Sequence, residues 1–352
     1  MFLYVGDYTS GPQGRAEGIG VYRFDSETGG IEHVETVGGV VNPSFLAVGA
    51  DGKNVYSVAE SPAAGSVVAY ARDSESGSLR ELNRQSSEGV GPCHVSIDDS
   101  GRYVLVANYG SGSIASYPIG DEGRLDAAAG AIQHEGSSVN QERQAGPHAH
   151  MIAQSPDGRF VYATDLGADR IFGYTLDPSS GELVAAPDAG ARTEPGAGPR
   201  HFAFSPDGAT VYVINELDST LTRYDRDAAS GRLDARQTVS SLPEGFDGEN
   251  SCAQVVAAPD GQFVYGSNRG HDSVAVWAVG EDGGLSFLRH VPAGGKTPRN
   301  FALDPSGGWL LVANQDSDTV VVMRRDPESG LPEEPGTVHD VPSPCCLVFA
   351  GA

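Results

Sequence analysis

GPRHFAFSPDGATVYVINELDSTLTRYDRD, residues 198–227, is a strand, a tight turn, a second strand, a polar turn and a third strand. HFAFS and TVYVI alternate and carry Val, Ile and Tyr, as short strands do. SPDG and LDST are turn phrases, with Gly208 at the position that needs a left-handed backbone. The same phrase returns as GPCHVSIDDSGRYVLVANYGSGSIASYPI at residues 91–119. Working outward, the turn glycine recurs as Gly52, Gly101, Gly158, Gly208, Gly261 and Gly307. Nine residues before each stand Pro43, Pro92, Ala149, Pro199, Cys252 and Pro298. A period of about 50 residues made of short strands predicts a β-propeller.

The count is seven. Six second strands run from NVYSVAE to WLLVANQ, and the seventh, FLYVGDY, lies at the N-terminus. Pro344 opens a seventh first strand, CCLVFA, at the other end. The seventh blade is therefore expected to take its innermost strand from the C-terminus and the rest from residues 2–37. Pairing the two chain ends satisfies their backbone groups and closes the ring. We read residues 1–352 as one all-β domain of four-stranded antiparallel blades.

Composition narrows the partners. Lys and Arg total 23 against 47 Asp and Glu, a net charge of −24, and the only lysines are Lys53 and Lys296. Nucleic acid and anionic membranes are not expected partners for such a chain. An acidic surface nearly free of lysine suits high salt, where self-repulsion is screened, and points to a halophilic source. A high-GC genome that replaces Lys by Arg gives the same count. No run of 18 apolar residues is present, so no transmembrane helix is expected. MFLYVGDYTS reads as a strand and not as a secretory signal. Cys93, Cys252, Cys345 and Cys346 form no CxxC pair and are expected to be reduced, buried residues of a cytoplasmic protein. A monomer or a small homo-oligomer is expected.

Antiparallel pairing puts the start of each first strand beside the end of each second strand, at one mouth of the central channel. Two repeat positions face that mouth. One follows the proline: Ser44, Cys93, His150, Arg200, Ala253, Arg299 and Cys345. The other comes eight residues after the turn glycine: Glu60, Tyr109, Leu166, Glu216, Arg269 and Gln315, with Tyr8 from the N-terminal strand. Symmetry thus aims His150, Arg200, Arg299, Glu60, Glu216 and Arg269 at one axis. Arg binds carboxylate or phosphate through two parallel bonds, and His moves protons near neutral pH. Structural roles fit some of these equally well. Arg200 and Glu216 lie on neighbouring strands and suit a plain ion pair, and Glu60 and Arg299 suit pairing with neighbours. Asn108, Asn215, Asn268 and Asn314 recur, so they are expected to cap turns. His94 and His201 follow the first position by one residue and are expected to point away. His148 lies two residues before His150 and outside the repeat. The connections at 134–147 and 241–251 are long and polar, fit for a rim or lid. No metal site is expected, since His148 and His150 are the only close histidine pair and no carboxylate set accompanies them.

At these residues the chain resembles the seven-bladed propeller lactonases, a family that includes propeller-type 6-phosphogluconolactonases and the fungal carboxy-cis,cis-muconate lactonizing enzyme. The likeness runs over essentially the whole chain. It is carried by ANYGSGS at 107–113, GPHAH at 146–150, GPRHFAFSPDG at 198–208, INEL at 214–217, SNRGHDS at 267–273, and KTPRNFALDPSG followed by LVANQDSD. The resemblance implies a catalytic set of one His, two Arg and a Glu, which by register are His150, Arg200, Arg269 and Glu216. The GPHAH phrase also offers His148 for the His. His148, Arg299, Glu60, Tyr109 and Gln315 are expected to bind substrate. The resemblance further implies hydrolysis of a small, anionic sugar lactone without a cofactor or metal. Muconate-type lactonization and a non-enzymatic binding propeller are the alternatives.

Overall fold

A computed structural model of the chain describes residues 1–61 and 63–351. Seven four-stranded antiparallel sheets make the blades. Their innermost strands are, in chain order, Leu46–Val48, Pro92–Ile97, Ala149–Gln154, Pro199–Phe204, Ser251–Ala257, Pro298–Leu303 and Pro344–Ala350. We number the blades one to seven by these strands. Each innermost strand packs against those of both neighbouring blades, so the seven form a closed ring. Blade seven joins Pro344–Ala350 to Phe2–Asp7, Ile19–Phe24 and Ile31–Val37, as the split repeat requires.

The cores lie between blades. Tyr56, Val58, Val104 and Val106 of blades one and two share one cluster, and Tyr212, Ile214, Val264 and Trp277 of blades four and five share another. The ruler glycines Gly52, Gly101, Gly158, Gly208, Gly261 and Gly307 all have φ between 68° and 71°, a conformation that a Cβ disfavours. The recurring asparagines bind locally as expected. The amides of Asn108, Asn268 and Asn314 donate to the carbonyls of Ser87, Ser241 and Ala293, which ties each turn to the incoming connection. Asn215 donates to Thr220 and Thr222.

One feature of the innermost strands was not legible in the pattern. In five blades the pairing register slips by one residue at the position after the proline or its equivalent. Pro92 pairs with Asn108 and His94 with Ala107, which leaves Cys93 as an extra residue. The same slip leaves out His150, Arg200, Arg299 and Cys345. Blade five has a wider slip between Cys252 and Val255. A β-bulge bends the strand and re-aims the extra side chain, here toward the channel axis.

Candidate active site

The bulges bring distant residues to one throat. Ser44, Cys93, Arg200, Arg299 and Cys345, from five different blades, line a single narrow cavity on the axis with Phe45, His201 and Asn300. His94 and His201 do not point away, contrary to the expectation from alternation. Their rings lie 5.6 Å apart, and His201 lies 5.1 Å from His150. The extra residue of each bulge shifts the alternation by one, so the residue after it also faces the axis.

Above the throat, Glu216 gathers three guanidiniums. Its Oε2 lies 2.9 Å from Arg200 Nε and 2.9 Å from Arg269 Nη2, and its Oε1 accepts a hydrogen bond of 2.6 Å from Arg143 Nη2. Burial alone would raise the Glu216 carboxyl, but the guanidiniums of Arg269, Arg200 and Arg143 outweigh it and hold the group down at about 2. Arg200 is anchored by a 2.6 Å bond to the Ala253 carbonyl, and Arg269 by bonds to the Ser251 and Cys252 carbonyls. Burial and the like charges of Arg269 and Arg299 push Arg200 down to about 9, so it is still a cation at neutral pH.

His150 is buried. Burial and the guanidiniums of Arg200, Arg299 and Arg269 hold it well below the ordinary histidine range, which keeps the imidazole neutral. His150 Nδ1 lies 3.8 Å from Cys93 Sγ, an arrangement that resembles a Cys–His nucleophile pair. The thiol is wrong for that role. Burial pushes it up to about 12, and it donates to the His150 carbonyl at 3.4 Å. His148 stacks on Tyr109 at 4.5 Å, and its Nδ1–H donates to the Tyr109 carbonyl. Tyr109 also touches the edge of His150 at 5.5 Å.

A second network completes the mouth from blades six, seven and one. Arg299 donates to the Tyr8 hydroxyl at 2.9 Å, and that hydroxyl donates to Glu60 Oε2 at 3.1 Å. Ser44 donates to the same carboxylate oxygen. Gln315 does not join either network. It lies buried in the short helix Gln315–Ser317, and its amide donates to Asp316. Sequence reasoning missed Arg143. It lies outside the repeat, and the only pointer to it was the length of the 134–147 connection.

Among the described residues, no group of three or more His, Cys, Asp or Glu is arranged to hold a metal ion. Nor is any helix long and apolar enough to cross a membrane. The four cysteines are free and buried. A concavity of about 1300 Å³ around Gly52, Lys53, Arg72 and Gly101 lies at the opposite mouth, away from these groups.

This fold and site define a propeller with a cationic, histidine-bearing upper mouth. The family model of the seven-bladed β-propeller lactonases matches residues 2–349. The chain belongs to that family. It is 36% identical over 349 residues to a 6-phosphogluconolactonase of Bacillus subtilis, covering 98% of this chain and 97% of the relative. The crystal structure of a putative 6-phosphogluconolactonase from Bacteroides fragilis is similar at a TM-score of 0.93 and 35% identity, covering 99% of this chain and 98% of that one. The periplasmic gluconolactonase PpgL of Pseudomonas aeruginosa is similar at a TM-score of 0.94 and 34% identity, covering 99% of both chains.

Proposed function

We propose that the upper mouth hydrolyses a sugar lactone of the 6-phosphogluconolactone type. The observation that carries this reading is the meeting of Arg200 and Arg269, each 2.9 Å from Glu216, above the neutral imidazole of His150. The two guanidiniums polarise the lactone carbonyl and stabilise the oxyanion that forms as water adds. Each such contact is worth about 2–4 kcal/mol in the transition state. Glu216 fixes both guanidinium planes in advance, so little reorganisation accompanies the reaction. His150 takes a proton from the attacking water as the new C–O bond forms. It then gives that proton to the ring oxygen as the lactone C–O bond breaks. The product is an open-chain hydroxy acid whose carboxylate faces the same arginines. The Cys93 thiol takes no part as a nucleophile.

Support comes from the names of the relatives, which include both a 6-phosphogluconolactonase and a gluconolactonase. The deciding experiment is hydrolysis of 6-phosphogluconolactone and of glucono-1,5-lactone by the purified protein, beside the His150→Ala variant. Hydrolysis by wild type and a loss of about 100-fold or more in the variant are expected. A variant as fast as wild type removes His150 from the mechanism. A wild type that cyclises a muconate-type diacid but hydrolyses neither lactone overturns the reading.

A further inference from the structure

The connection that carries Arg143 is rooted in blade three by a departure from the repeat. Asn108, Asn215, Asn268 and Asn314 occupy the end of the second strand in four blades, but in blade three that place is Asp165. In blades two, five and six the asparagine amide holds a backbone carbonyl of the incoming connection. In blade three the carboxylate instead accepts a 2.7 Å bond from the His134 Nδ1–H, and both side chains are fully buried. The other oxygen of Asp165 accepts the backbone N–H of His148 at 2.7 Å. One carboxylate therefore pins both ends of the 134–148 segment. Between those ends the buried Gln144 donates its amide to the Leu166 carbonyl at 2.9 Å, which docks the segment beside its neighbour Arg143.

Arg143 differs from the other two guanidiniums on Glu216. The side chains of Arg200 and Arg269 are only 3% and 13% exposed, and both are tied to backbone carbonyls. Arg143 is 40% exposed. Its Nη2 alone serves both Glu216 Oε1 and the Tyr109 hydroxyl, and its Nε and Nη1 make no hydrogen bond among the described residues. Three guanidiniums on one carboxylate leave an excess of positive charge, in a chain whose net charge is −24. The exposed Nε–H and Nη1–H groups of Arg143 remain free to donate to an oxyanion one at a time, since each parallel N–H pair of the guanidinium includes the occupied Nη2.

We propose that Arg143 is the specificity residue of this site, a loop-borne guanidinium that takes the phosphate of a phosphorylated lactone and is positioned by the His134–Asp165 pair and Gln144. The proposal rests on the lactonase reading above.

The test compares wild type, Arg143→Gln, Arg143→Lys and Asp165→Asn by kinetics on 6-phosphogluconolactone and glucono-1,5-lactone, and by calorimetric binding of 6-phosphogluconate and gluconate. Arg143→Gln is expected to raise KM for the phosphorylated lactone about 30-fold and weaken 6-phosphogluconate binding to the same extent. Losses with the plain sugar ligands, which come only through the weakened hold on Glu216, are expected to be about tenfold smaller. Arg143→Lys retains the charge without the separate guanidinium donors and falls between. Asp165→Asn removes one of the two acceptor oxygens that pin the segment and shifts selectivity in the same direction by about fivefold, with the Arg143 variants deciding the proposal if it does not fold. Equal losses on phosphorylated and plain ligands would mean that Arg143 only braces Glu216, and would overturn the proposal. So would unchanged selectivity, or a wild type that binds 6-phosphogluconate no more tightly than gluconate. If wild type hydrolyses neither lactone, the lactonase reading falls, and the binding comparison still decides the role of Arg143.

Discussion

Arginine stands at both ends of the blades, and the two ends use it differently. At the lower face Arg72, Arg226 and Arg325 repeat one arrangement. Each donates to the hydroxyl of a tyrosine in the preceding blade, Tyr4, Tyr162 or Tyr265, and to the carbonyl of a ruler glycine, Gly52, Gly208 or Gly307. Those tyrosines in turn donate to Gly77, Gly231 and Gly330 in the next blade. At the upper mouth Arg200 and Arg299 share the bulged position after the proline but no bonding pattern recurs: Arg143, Arg200 and Arg269 meet on Glu216, whereas Arg299 donates to Tyr8. A residue that recurs from blade to blade holds blades together. One that appears once, where symmetry converges, is free to act on a ligand.

Substitutions at the two ends separate these roles. Arg200→Met is expected to lower kcat/KM for the lactone by about 1000-fold, since it removes a cation aimed at the developing oxyanion. Steady-state kinetics checks this, and a loss under tenfold would put Arg200 with the blade-holding arginines of the lower face. Glu216→Gln is expected to cost about 100-fold in kcat/KM by releasing the guanidinium planes. It also changes the acid limb of stability. The Glu216 carboxyl is held near 2 in the fold, against 4.5 ordinarily, so its stabilisation is complete above the ordinary range and fades as pH falls toward 2. That contribution, on the order of 3 kcal/mol, should vanish from the variant's urea titrations between about pH 5 and 2.

His150 sharpens the comparison through pH. A base held well below the ordinary histidine range leaves kcat/KM level as pH falls from 8 through 6.5. A limb centred near 6.5 in the pH–rate profile would hand the base role to another group. At the lower face, Arg226→Ala removes bonds to Tyr162, Gly208 and Asp157. It should cost roughly 3 kcal/mol in denaturant unfolding and leave kcat/KM per folded molecule unchanged. Asn268→Ala, which unties one turn from its connection, should cost about 1 kcal/mol with no kinetic effect.

The blade count, the ring closure and the two axis-facing positions were legible because each is a local pattern repeated: alternation of period two, a glycine at positive φ, and a fixed distance between them. Arg200, Glu216, Arg269 and His150 could be chosen from the chain because they break that pattern at positions where symmetry brings them together. The turn role of Asn108, Asn268 and Asn314 followed from the same logic in reverse. The pairing of the Gln315 amide with the adjacent Asp316 was not legible, since the repeat places a residue without fixing where its side chain turns.

The amino-acid sequence by itself determined how many blades there are, how the ends join and which mouth carries the cations, since these depend on neighbours along the chain. Only the tertiary structure decided that bulges turn His94 and His201 inward, that the Cys93 thiol is held neutral, and that Arg143 closes over Glu216. Bulge register depends on pairing with a partner strand, and a thiol's ionisation on what surrounds it. The place of a loop residue depends on what anchors its ends, here one buried carboxylate and an imidazole 31 residues away along the chain.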